Sequence, residues 1–431
     1  MASRPEAVIV AAARTPVGRF LGALAPLSAT ALGAAAVREV IRRAGLLSTD
    51  AGAVDGIVEP ALTPPSAPLS RRAGEGPGVR ASPIVDEVIL GNVVSAGLGQ
   101  APARQAAIAA GLPPSVPCTT VNKVCGSSLK AVMLAAQAIR AGDGSAYVAG
   151  GMESMSNAPY LLQQARSGYR LGHGSLVDAN IQDGLWCSFE QQHMGNSAEY
   201  IAEEFGISRE EMDRYALASH RKAVAATRAG RFAAEIVPVE VPQRKGPALL
   251  VEADEGPRPG TSMEALARLA PAFVPGGKVT AGNSPGLSDG AAAVVVMEAE
   301  AAYRRDLQPL ARITGYATCA VEPRRIFAAP AGAIRRLLAA SGADLSDFDL
   351  LEVNEAFAAQ ILANGKDLGW DWERVNVNGG AVALGHPLGA TGARILTTLL
   401  YALKDRGLRR GLAALCLGGG EAVALGVEVA G

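Results

Sequence analysis

The chain has 431 residues, of which 49% are hydrophobic but only 4% aromatic, and its 40 Lys and Arg balance 41 Asp and Glu. So even a balance supplies no overall field to draw nucleic acid or an anionic membrane, and any charged partner has to be met by a local patch. The length implies two or three packed units around an interior of Ala, Val, Leu and Ile, and five cysteines scattered through it do not form a disulfide framework, so a reducing cytoplasm is the expected compartment.

The first apolar run, "AVIVAAART", is short and meets Arg14 with no stop-transfer segment behind it. It predicts a buried strand rather than a signal peptide, and no other stretch is long enough to span a bilayer. Residues 60–83 ("PALTPPSAPLSRRAGEGPGVRASP") lack periodicity and are expected to be a flexible surface insertion. Next come "VDEVILGNVV" as a strand, "SLKAVMLAAQAIRAG" as a helix entered through Cys125, and "AYVAGG" as a strand. Residues 156–287 break this rhythm like an inserted domain, helical in "SAEYIAEEF" and in "SREEMDRYALASHRKAVAATRAG", where Ser208 and Glu211 make a capping box. Its basic residues (Arg221, Lys222, Arg228, Arg231, Arg244, Lys245 and Arg258) could bind a polyphosphate, although a solvated helix face accounts for most of them. Strands "GAAAVVVME", "DFDLLEVNE" and "GLAALCLGGG" complete the order, which is that of an α/β fold. "VDEVILGN" and "FDLLEVN" each precede a "VN" segment, a Gly/Ser turn, a helix and a strand ending in glycines, so the chain reads as two copies of one βα unit facing a common cleft.

Several motifs fail. "GLGQAP" lacks the third glycine of a dinucleotide fingerprint, "GGKV" is not a P-loop, and no histidine pair has metal-ligand spacing. "GNSPG" at 282–286 matches a nucleophile elbow, with Asp349 and His386 following in hydrolase order, so a serine hydrolase using Ser284 is the rival reading; the strand-like run after it argues against an elbow. Cys125 sits where a strand turns into a helix, whose N-terminal N–H groups and dipole favour a thiolate. Taken alone it reads equally well as a buried structural cysteine. The same holds for Cys416, which ends a strand and enters "GGGEA". Cys118, Cys187 and Cys319 have no such setting. His386 is one of only four histidines, and a Gly-rich turn exposes it.

Together "KVCGSS", "EVNEAFA", "NVNGGAVALGHPLGATGAR" and "CLGGGEA", in this order and spacing, resemble the thiolase family over almost the whole chain apart from residues 60–83. The blend, with "ESMSNAPY" and "NEAFAAQ", is most similar to members that join two acetyl-CoA into acetoacetyl-CoA. Members acting on longer 3-ketoacyl-CoA are the alternative, and an inactive scaffold on the same fold is opposed by the retained Cys125, Asn354, His386 and Cys416. The resemblance implies two similar halves in five layers, α-β-α-β-α. The first half is residues 1–155 with 288–309, the CoA-binding loop domain 156–287 and the second half 310–431. It implies a ping-pong Claisen condensation or its reversal, with Cys125 acylated, His386 taking the thiol proton and Cys416 as base. Two oxyanion holes follow, one from His386 and a water on Asn354, the other from the N–H groups of Cys125 and Gly418. Glu355 would orient its neighbours. CoA contacts carried over are His193, Arg258, Leu269, Phe273, Ala281, Ser284 and Phe357. Coenzyme A is substrate and product, no cofactor or metal is tightly bound, and the assembly is a dimer or tetramer. Pro285 departs from the family, standing where a serine usually bonds the pantetheine arm. Ser128 and Ala422 replace glycines.

Overall fold

The computed structural model describes residues 5–46 and 85–429; the insertion expected at 60–83 lies outside the described residues. Strand β1 (Ala7–Arg14) is buried along its whole length, as its unbroken apolar run requires. Then follow α1 (Ala29–Arg43), β2 (Glu87–Gly91), α2 (Pro102–Ala109), β3 (Cys118–Val121), α3 (Ser127–Ala141) and β4 (Ala146–Ser154). Helices α4 (Met194–Glu204) and α5 (Arg209–Arg228) dominate the next stretch. The capping box forms: Ser208 N donates to Glu211 Oε2 at 2.7 Å and Glu211 N to Ser208 Oγ at 3.2 Å. Strand β5 (Ser288–Glu298) then returns between β1 and β4, antiparallel to both. The remainder comprises β6 (Ala311–Ala320), α6 (Ala329–Ser341), β7 (Leu350–Val353), α7 (Ala358–Leu368), α8 (Thr391–Arg406), β8 (Arg410–Leu417) and β9 (Glu421–Val429).

Along the sheet the order is β7-β8-β9-β6-β1-β5-β4-β2-β3, with the short strand Gly18–Arg19 paired to the start of β5. The order repeats. In one half β3, β2 and β4 are parallel neighbours, followed by antiparallel β5 and β1. In the other, Val375 bridges β7 in parallel, β7 runs parallel to β8, and antiparallel β9 and β6 follow. Among the described residues the strands of the two halves pair edge to edge only where Val8 and Ile9 meet Arg312 and Ala311.

Helices α1 and α2 cover the outer face of the first half and α6 that of the second, while α3 and α8 lie between; α8 packs on β5 of one half and β8 of the other. A single apolar cluster therefore runs from Ile9, Val294 and Leu129 through Leu396 and Leu399 to Leu415 and Leu425. These are the five layers α-β-α-β-α. The middle pair approaches so closely that a Cβ on Gly392 would lie 2.6 Å from Leu129 Cβ, which explains a core rich in small residues and poor in aromatics. Ser128 Oγ, at one of the departures from the family, accepts Ala393 N at 2.9 Å and ties α3 to α8. Among the described residues no helix is long and apolar enough to cross a membrane.

Candidate active site

Between β3 and α3 the chain turns through Val124, whose φ of 46° is a conformation that β-branched residues rarely adopt. Side chains hold the turn. Asn122 Oδ1 accepts Val124 N at 3.0 Å, and Ser127 Oγ accepts Lys123 N at 2.8 Å while donating to Val124 O at 2.6 Å. The strained residue immediately precedes Cys125, which opens on a cavity of about 480 Å³. Burial pushes the Cys125 thiol up to about 12, and the hydrogen bond from its own backbone lowers it by less. The N-terminal N–H groups favour a thiolate here, as the sequence suggests, but burial weighs more. Removing a charged sulfur from water costs more than those N–H groups return.

The turn ahead of α8 carries His386, whose backbone N donates to Ser288 Oγ at 3.0 Å. Thr391 Oγ1 lies 2.7 Å from Nδ1 and donates its own proton to Pro387 O at 2.8 Å. Its oxygen therefore accepts from Nδ1, and the free lone pair falls on Nε2. Asn354 Nδ2 approaches Nε2 at 3.4 Å, and Asn354 Oδ1 is buried with no protein partner among the described residues. Burial, reinforced by the nearby Arg394 charge, lowers the ring to about 3, so it is a neutral base at physiological pH. Behind it Glu355 accepts Tyr215 Oη at 2.7 Å, Ser219 Oγ at 2.8 Å, Val382 N at 2.9 Å and Asn376 Nδ2 at 3.1 Å, which binds α5 to both Asn-bearing segments of the second half. Gly380 passes so close that a Cβ there would lie 2.3 Å from Glu355 Cδ.

Cys416, near the end of β8, is buried, and its thiol is driven well above the usual range by burial and then by the Cys125 charge. The two sulfurs are therefore within electrostatic reach of each other. Of the residues singled out in the sequence, Cys125, His193, Arg258, Phe273, Ala281, Ser284, Phe357, His386, Cys416 and Gly418 line the same cavity. Asn354 stands behind His386. Leu269 does not line it: Leu266 of the short helix Met263–Ala267 points inward, which leaves Leu269 beside Gly282 and 37% exposed. His193 caps α4 by accepting Gly195 N at 3.0 Å on Nδ1 and stacks on Phe273 with ring centroids 4.8 Å apart, so its proton sits on Nε2. Burial lowers its pKa.

Sequence reasoning missed Thr391, Ser288 and the apolar wall of Met155, Leu287, Ile326, Phe327 and Leu388. Single hydroxyls and aliphatics carry no motif, although Thr391 does lie five residues past the histidine in "GHPLGAT". Arg221, Arg228 and Arg258 surround a second recess of about 290 Å³ that shares His220 and Arg258 with the first. By contrast Lys222 donates to Val375 O at 3.1 Å and Arg231 pairs with Asp405 at 3.7 Å.

The serine hydrolase reading fails on geometry. Ser284 Oγ donates to Thr280 O at 2.8 Å, Asp349 Oδ2 accepts Arg409 N and Arg410 N, and His386 Nδ1 faces Thr391. A strand, β5, follows the serine where an elbow needs a helix.

Comparison with known proteins gives a consistent result. The thiolase N-terminal domain family matches residues 75–300 and the thiolase C-terminal domain family residues 307–429. An acetyl-CoA acetyltransferase of Pseudomonas aeruginosa is 52% identical over 420 residues, covering 97% of this chain and 98% of the relative. One from Escherichia coli is 50% identical, with 98% of each chain covered. A crystal structure of the Bacillus anthracis acetyl-CoA acetyltransferase superposes with a TM-score of 0.89 at 42% identity over the full length of both chains.

Proposed function

The chain belongs to the thiolase family, and from that premise we propose that it is an acetyl-CoA acetyltransferase, condensing two acetyl-CoA to acetoacetyl-CoA and CoA or running the reverse thiolysis. The observation that carries the assignment of roles is the convergence of Cys125 from one half with His386 and Cys416 from the other on a single cavity.

The Cys125 sulfur attacks the thioester carbonyl as its proton passes to His386 Nε2, whose lone pair the Thr391 bond keeps free. The bond to CoA sulfur breaks, CoA leaves with that proton, and acetyl-Cys125 remains. The N–H groups of Cys125 and Gly418 take the oxyanion charge. Cys416 then passes its proton to His386 Nε2, which the departure of CoA has left free again. As a thiolate it removes a proton from the methyl carbon of the second acetyl-CoA. The carbanion attacks acetyl-Cys125, the new carbon–carbon bond forms as the bond to sulfur breaks, the proton held on His386 returns to Cys125, and Cys416 keeps the methyl proton. While it carries the Cys416 proton, His386 Nε2–H, with a water on the free Asn354 Oδ1, donates to the second carbonyl oxygen.

Arg221, Arg228 and Arg258 at the joined recess suit the phosphates of CoA, with His193, Phe273 and Phe357 along the path inward. Met155 and Leu388, backed by Val93 and Val94, give the cavity an apolar wall beside Cys125, which favours a short acyl group. All five cysteines are free, in keeping with a cytoplasmic location. A dimer or tetramer is supported by exposed apolar residues such as Leu162, Leu171 and Phe189, which a second copy would cover. Steady-state thiolysis of acetoacetyl-CoA against a longer 3-ketoacyl-CoA tests the reading. The higher kcat/KM should belong to acetoacetyl-CoA, and the reverse order would make the chain a longer-chain thiolase.

A further inference from the structure

Glu153, one residue from the end of β4, is wholly buried, and no step above uses it. Four N–H donors converge on its carboxylate. Val93 N at 3.0 Å and Gly389 N at 2.8 Å meet Oε2, while Val94 N at 3.2 Å and Asn92 Nδ2 at 3.0 Å meet Oε1. Three of these donors belong to the loop after β2, in the half that carries Cys125. The fourth belongs to the turn that carries His386, in the other half. Gly389 is drawn in so far that a Cβ on it would lie 2.7 Å from Met152 O and 2.9 Å from Glu153 Oε2. All four donors share one acceptor group, so the link between the two halves at this point depends on its two oxygens.

Building on the reading of His386 as proton acceptor, we propose that Glu153 is a positioning residue: through Gly389 it fastens the His386 turn to the half that bears Cys125, and loss of its negative charge loosens that turn. A carboxyl that gains a proton presents an O–H where one of the four N–H groups needs a lone pair, so at least one bond has to be surrendered. The charged or titratable groups facing it are Asp289 on β5 and Cys125 ahead of α3; the loop after β2 and the Gly389 turn bring only N–H donors. Burial, opposed by the bonds from Gly389, Val93 and Val94, raises Glu153 to about 7. His386, at about 3, and the two thiols, which lie well above neutrality, titrate elsewhere. The sign follows: as pH falls through about 7 the carboxylate takes up a proton, the turn slackens and turnover drops.

The test is the pH profile of kcat and KM for acetoacetyl-CoA thiolysis in the wild type, Glu153→Gln and Asn92→Ala. Wild-type turnover in this series tests the acyl-transfer reading by itself. Given that turnover, the wild-type kcat should fall on the acid side with a midpoint near 7. Glu153→Gln should lose that limb and about 10- to 100-fold of kcat at its plateau, with KM within about twofold, because misaligning a base costs rate and not binding. Asn92→Ala removes one donor to the ionised form and should move the limb to higher pH. An acid limb unchanged in Glu153→Gln, or full turnover in that variant, overturns the proposal. If Glu153→Gln does not fold, a limb unmoved in Asn92→Ala overturns it equally.

Discussion

Cys125 has to react as a thiol whose proton leaves during attack, since burial holds it near 12 while the neighbouring imidazole stays neutral. Its alkylation by iodoacetamide should therefore keep accelerating with pH through 9, because each pH unit below the pKa multiplies the thiolate fraction about tenfold. A rate already flat at pH 7 would reveal a stabilised thiolate. Cys416→Ala should still accept label from radiolabelled acetyl-CoA on Cys125, yet condense almost nothing; equal loss of both half-reactions in a folded variant would remove Cys416 as the base. Pro285 lines the cavity and offers neither a side-chain hydroxyl nor a backbone N–H. Pro285→Ser should lower KM for CoA substrates by a few-fold, the worth of one neutral bond of roughly 0.5 to 1.5 kcal/mol, with kcat unchanged. A fall in kcat would mean that the proline holds the 282–286 turn. At this scale the sequence drew notice to Cys125, His386 and Cys416, because each stands beside glycines in a motif of its own. It did not show how strongly burial opposes the Cys125 thiolate, because that cost comes from walls such as Met155 and Leu388 that lie far away in the chain.

Among the elements, α5 does the most to shape the site from outside it, bringing Tyr215 and Ser219 to Glu355 and Arg221 and Arg228 to the second recess. Ser208→Ala breaks its capping box at an exposed position and should cost about 1 kcal/mol of stability. Denaturant midpoints should fall while kcat holds, and a loss of kcat instead would mean that the first turn of α5 sets the register of the Glu355 bonds. This helix and its cap were legible from the S-x-x-E pattern and the 3.6-residue period. The recess was not, because arginines along an exposed face have the same spacing whether or not another segment, here the one bearing Arg258, closes over them. The positive φ of Val124 was equally hidden, since nothing in "NKVCG" identifies a valine as the residue that turns the chain.

For the molecule as a whole, the repeat in "VDEVILGN" and "FDLLEVN" foretold the matched strand orders, because identical burial on both faces leaves identical apolar runs. The edge contact between β1 and β6 left no such trace, being only two residue pairs long. Within this frame β4 and β5 stand opposite each other, with Ser154 paired to Asp289. Everything from 155 to 288 thus departs and re-enters at one rung of the ladder, and topologically it is the loop of a very large hairpin. Closing such a loop costs entropy that grows only with the logarithm of its length, about 0.6 kcal/mol for each doubling. A ten-residue Gly/Ser insertion at the exposed Gly246, where a Cβ would meet nothing within 4 Å, should then leave the unfolding midpoint and kcat unchanged within error, and a large drop in either would show that the tip packs against something essential. The catalytic frame is in this sense indifferent to how long the excursion is, so material can be added between Cys125 and His386 in the chain without moving them apart in space.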